Sequence, residues 1–119
     1  MKKLKELNFN IDDLSIFFTL FRLDNSYLLM LSDQQGMGIG DVSLGSPPRI
    51  DGMKSTSASY NLFGMHRSLL SSVIAKRTSS ILQKPVLILS FFKTDKEEDD
   101  FIKPLVNFVN ETLENLKDK

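Results

Sequence analysis

Few residues in this chain are of types that could do chemistry, and their spacing limits what each could do. His66 is the single histidine among 119 residues, and there is no cysteine. A catalytic imidazole needs a nucleophile or an orienting carboxylate, and a metal site usually needs several ligands. The segment Gly64-Met65-His66-Arg67-Ser68 marks no such set, so His66 is read as a polar residue at a helix start. Without cysteine there are no disulfides, thiolate metal sites or cysteine nucleophiles.

Gly36, Gly38 and Gly40 alternate in a way that invites a phosphate-loop reading. Phosphate fingerprints run strand, glycine loop, helix, with the helix N-terminus facing the phosphates. Here the pattern after the glycines is that of a strand, and no Gly-Lys-Ser or Gly-Lys-Thr is present. The run Glu97-Glu98-Asp99-Asp100 lacks the spaced oxygens and glycine turn of an ion loop. It is read as the acidic start of a helix, favoured by the helix dipole. The serines form no Gly-x-Ser-x-Gly elbow, and Asn110-Glu111-Thr112, a formal glycosylation acceptor, falls within a helical pattern. These readings predict a protein without catalytic residues, metal or cofactor, which acts by binding.

Composition agrees. The chain is 41% hydrophobic and 25% charged, with 15 basic and 15 acidic residues. These are globular values, and a zero balance argues against a general nucleic-acid binder. No apolar run is long enough to span a membrane, and the Lys-rich start lacks a signal-peptide cleavage site. The expectation is one domain over residues 1–119, placed in the cytoplasm with or without a share in the nucleus, with residues 1–13 a short strand, a helical turn or a loosely ordered lead-in.

The elements follow from periodicity. Residues 14–23 are apolar at both parities, the mark of a strand buried on both faces. Asp24-Asn25-Ser26 supplies a turn, and 27–31 completes a hairpin. A third strand is expected at about 38–44, closed by Gly45-Ser46-Pro47-Pro48, and a fourth at 54–63 after a loop over 46–54. From His66 to Gln83 the stripe Leu69, Leu70, Val73, Ile74, Arg77 and Ile81 predicts a helix, ended by Lys84-Pro85. Val86–Phe92 is the strongest strand and should be central. Thr94 or Asp95 is expected to cap a last helix striped by Phe101, Leu105, Phe108, Val109, Thr112, Leu113 and Leu116, with its regular part starting close to Pro104.

The fold class is therefore α+β: an antiparallel sheet of about five or six strands with two amphipathic helices packed on it, in the order ββββαβα. Two helices can cover only one face of such a sheet, yet two or three strands are apolar on both. The second face needs cover, from the sheet folding on itself or from a partner.

Phe17-Phe18-Thr19-Leu20-Phe21-Arg22-Leu23 with Asp24-Asn25-Ser26, and Val73-Ile74-Ala75-Lys76-Arg77-Thr78 followed by the Val86–Phe92 strand, resemble the small proteasome assembly chaperones of the fourth type. Gly36-Met37-Gly38-Ile39-Gly40-Asp41-Val42-Ser43-Leu44 is similar to the third type. The resemblance spans about residues 14–116 and leans to the fourth type. It implies a protein without an active site that pairs with a related chaperone and helps order the α-subunit ring of the 20S proteasome core. On that reading Phe17, Phe21 and Tyr27 are expected to face the paired chaperone. Gln34 and Gln35 in the loop 33–37, Arg49 in the loop 46–54, and Arg67, Lys76 and Arg77 on the first helix are expected to face a proteasome α subunit. The alternatives are a profilin-like or trafficking-adaptor module, and a small-ligand or nucleotide-binding protein using the Gly36–Gly40 loop.

Overall fold

The computed structural model describes residues 1–36, 38, 40–47, 56–61, 68–94 and 96–117. The elements are strands β1 (Lys2–Ile11), β2 (Leu14–Arg22), β3 (Tyr27–Ser32), β4 (Asp41–Ser46) and β5 (Thr56–Asn61), helix α1 (Ser68–Leu82), strand β6 (Val86–Phe91) and helix α2 (Glu98–Lys117). The expected order is present from β2 onward, with β1 ahead of it. In β1, Leu7, Phe9 and Ile11 alternate with exposed Glu6, Asn8 and Asn10, the period of a half-buried strand. Asp12, at φ 54°, turns the chain between β1 and β2; aspartate tolerates this left-handed region better than most residues.

The six strands lie in the order β1-β2-β3-β6-β4-β5. All neighbours are antiparallel except β3 and β6, which run parallel from Tyr27↔Val86 to Ser32↔Phe91. β6 is thus inserted between β3 and β4 and is central, as its apolar composition predicts.

Both helices sit on one face. Leu14, Ile16, Phe18 and Leu20 of β2, Leu29 and Leu31 of β3, and Val86 and Ile88 of β6 are buried beneath them. From α2, Phe101, Leu105, Val109 and Leu113 enter the same core. Phe108 stacks on Phe9 with ring centroids 4.1 Å apart and meets Phe18 edge-on at 5.9 Å, so α2 lies over β1 and β2. The other helix, α1, lies over β4, β5 and β6. Its buried face includes Ser71, Ala75, Thr78 and Ser79 beside Leu70 and Ile74. Small residues let it approach closely: a Cβ on Gly45 would stand 2.3 Å from the Ala75 carbonyl oxygen.

Three expectations about boundaries are corrected. β4 begins at Asp41 and runs through Gly45 and Ser46, because Gly45 is where α1 crosses the strand rather than a terminator. α2 begins at Glu98, six residues before Pro104; the acidic first turn and the buried Phe101 outweigh the lost backbone bond. Thr94 stands four residues ahead of the helix, where its Oγ1 accepts from the Lys96 amide at 3.2 Å. Asp95 lies outside the described residues. At the other end of α1, Gln83 adopts φ 56° and its amide donates to the Ser79 carbonyl at 2.8 Å, a left-handed helix stop.

Candidate functional site

The face of the sheet away from the helices is built from the opposite parity of the same strands. Register aligns its side chains in rows. One row runs Phe21, Leu28, Leu87, Leu44 across β2, β3, β6 and β4, and the next runs Thr19, Met30, Leu89, Val42. The backbone register continues these rows to Ala58 and Tyr60 of β5. Eight positions on four adjacent strands thus include seven large apolar side chains and one threonine. Most shelter one another and are half-buried, while Leu44 is 50% exposed. Neither helix covers this face.

The border of the face is polar. Glu6 and Asn8 on β1 stand opposite Thr19 and Phe17. Phe17, Thr19, Met30 and Ser32 form a shallow depression with Gln34 and Gln35 at the end of β3. An apolar centre inside a hydrogen-bonding rim is the anatomy of a protein interface. With strands about 4.8 Å apart and a rise of about 3.3 Å per residue, these eight positions cover roughly 19 by 13 Å.

Asp33 fixes the Gln34-Gln35 corner. Its buried carboxylate accepts from the Lys93 amide at 2.9 and 3.0 Å, the Thr94 amide at 2.7 Å and Gln34 Nε2 at 3.3 Å. The Ser32 hydroxyl accepts from the Gln34 amide at 2.9 Å. These bonds tie the ends of the parallel strands β3 and β6 together. The glycine run also serves packing: a Cβ on Gly40 would lie 2.3 Å from the Ser90 carbonyl oxygen, and one on Gly38 would strike the Phe91 ring. The run leads into β4 rather than into a helix. Away from this face, Lys96 Nζ lies 2.8 Å from Asp13; the hydrogen bond and the charge of Lys96 hold the Asp13 carboxyl below its ordinary range, and Asp13 holds the Lys96 ammonium above its own. Among the described residues no group of three or more His, Cys, Asp or Glu could hold a metal ion.

The residues expected at interfaces fall in three places. Phe17 and Phe21 belong to the open face, and Gln34 and Gln35 to its border. Tyr27 does not share that face, although it is expected to face the paired chaperone together with Phe17 and Phe21. It lies opposite Arg22 and packs toward the helix-side core near Leu20 and Ile81. Lys76 and Arg77 are exposed on α1, on the helix side of the sheet. Arg49, Arg67 and His66 lie outside the described residues. The sequence reading missed Leu28, Met30, Val42, Leu44, Leu87 and Leu89. Their signal was the two-parity apolar pattern of β3 and β6, which shows that both faces are apolar but not which residues share a row.

The fold defines a class: a mixed six-stranded sheet carrying two helices on one face and an apolar surface on the other. No protein-family model and no curated protein matches the chain. Among solved structures, the fold is similar to that of a chain in a chaperone complex for yeast 20S proteasome assembly. The TM-score is 0.55 at 10% identity, covering 95% of this chain and 94% of that one.

Proposed function

We propose that this protein is a proteasome assembly chaperone subunit. It pairs with a related chaperone and helps order the α-subunit ring of the 20S core, in the cytoplasm and nucleus. The observation that carries the reading is the open face: rows of apolar side chains on four adjacent strands, bordered by polar groups. Burying them stabilises association by about 25 cal/mol per Å² of apolar surface, reduced by the cost of ordering the two partners. The likeness of fold to a chain from a chaperone complex for 20S proteasome assembly supports a chaperone as the partner. The sequence resemblance, from different observations, leads to the same place.

On this reading the work is binding. The face supplies affinity through a few anchors such as Leu44, Leu89 and Phe21. A tagged chain purified from its native cell should bring with it a related small chaperone and proteasome α subunits, identified by mass spectrometry. Leu44→Glu, on a half-exposed side chain, should change folding stability by no more than about 0.5 kcal/mol. It should nonetheless reduce recovery of the paired chain at least severalfold. Undiminished recovery with this variant, or recovery of actin or coat proteins in place of proteasome subunits, would overturn the proposal.

A further inference from the structure

Basic and acidic residues balance in number, but the fold gathers many of the acids at one end, with Lys93 and Lys96 among them. Asp12, Asp13, Asp33, Glu97, Asp99 and Asp100 gather where β1 turns into β2, where β3 and β6 finish, and where α2 starts. Lys2, Lys3 and Lys5 open β1 at the opposite end. Arg22 closes β2 there, opposite Lys2, and Lys84 sits between α1 and β6, next to the Pro85 whose carbonyl accepts from the Tyr27 amide at 3.0 Å.

At this basic end lies a recess lined by Leu4, Leu20, Tyr27, Ile81, Leu82 and Leu116, with Arg22 and Gln83 on its walls. Its floor is the edge of the core, where the last turn of α1 and the end of α2 leave side chains only partly covered. Arg22 and Tyr27 also border an adjoining cleft with Lys84, Asn25 and Ser26. The acids at this end are Glu6, paired with Lys3 at 3.0 Å, Asp24, which borders the same cleft, and the exposed Glu111 and Glu114 on the last turns of α2. Among the described residues, neither Arg22 nor Lys84 has a carboxylate within ion-pair distance.

We infer that this recess is a docking groove for an acidic peptide segment carrying one apolar anchor. The anchor, a leucine or phenylalanine, enters the recess between Leu20 and the Ile81-Leu82 turn. A neighbouring carboxylate takes the Arg22 guanidinium, whose planar fork suits bidentate pairing, and a second reaches Lys84. The basic end draws the segment in and sets its direction, an effect that raised salt weakens. The apolar lining is recessed: none of these side chains stands among the fully exposed ones. That shape suits an inserted side chain better than a lipid surface, which needs apolar groups that project. The groove is on the helix side of the sheet, so its use does not depend on what covers the open face.

The test uses the full chain and a fluorescein-labelled peptide of about a dozen residues, with a single leucine flanked by glutamates, read by fluorescence anisotropy. Saturable binding is expected. Arg22→Glu should weaken it about tenfold, as should replacing the peptide leucine by serine, each a change of about 1.4 kcal/mol. Lys103→Glu, on the exposed side of α2 about 20 Å along the helix from Leu116, should leave it unchanged. Circular dichroism checks that Arg22→Glu remains folded; if it does not, Lys84→Glu makes the same test. Four results would overturn the inference. They are absence of saturable binding, binding insensitive to Arg22→Glu and Lys84→Glu, binding lost in Lys103→Glu, and displacement of the peptide by phosphatidylserine-rich vesicles.

Discussion

Asp33 joins the ends of two strands through a single side chain. One carboxylate accepts from two successive backbone amides and a side-chain amide, and so closes the gap between the ends of β3 and β6. Charge-assisted bonds of this kind contribute more than neutral ones, and losing the acceptor leaves donors unmet in a part-buried site. Asp33→Ala is expected to cost about 2–3 kcal/mol in urea denaturation. Asp33→Asn keeps one acceptor oxygen and should cost less. In the sequence, Asp33-Gln34-Gln35 has the composition of an ordinary loop; the backbone amides that Asp33 accepts from lie 60 and 61 residues away, and no local pattern announces them. The glycines show the same limit. Their spacing reads as a phosphate loop or a flexible connection, whereas Gly38 and Gly40 lie against Phe91 and Ser90 of a strand far along the chain.

Elements were legible in proportion to how strongly their buried side chains contrast with their exposed ones. The α2 stripe was read correctly because Phe101, Leu105, Val109 and Leu113 are large, apolar and evenly spaced. α1 was harder to orient, since much of its buried face is serine, alanine and threonine. The reading placed Arg77 on its apolar stripe, but Arg77 is exposed and Ser71, Thr78 and Ser79 are buried. These small residues allow α1 to lie close on β4, and Gly45 completes the fit. Gly45→Ala should force helix and strand apart at the Ala75 carbonyl and cost about 1–3 kcal/mol, measured as a lower denaturation midpoint with unchanged slope. A result within about 0.5 kcal/mol of the parent would mean that α1 can move away without loss. The parallel β3–β6 pairing was not legible, because two central strands carry no mark of their order or direction beyond being apolar.

For the whole molecule, the deduction that held was one of counting. Strands apolar at both parities, with helices enough for one face, left a second face to be covered. The structure shows that face open, with Phe21, Leu28, Leu87 and Leu44 in one row and Thr19, Met30, Leu89 and Val42 in the next. Which residues form it depends on register, and register depends on the whole sheet. Of the expected interface residues, four gather at this face or its border, while Tyr27, Lys76 and Arg77 belong to the helix side. The molecule therefore presents two separate surfaces, and only the open face bears on the pairing claim. That claim is tested most directly by placing a photo-crosslinking amino acid at position 44 of the chain in its native cell. The account predicts a crosslink from position 44 to a second chain of this fold, in a complex that also contains proteasome α subunits. A monomer with no crosslink from position 44, purified free of α subunits, would contradict it.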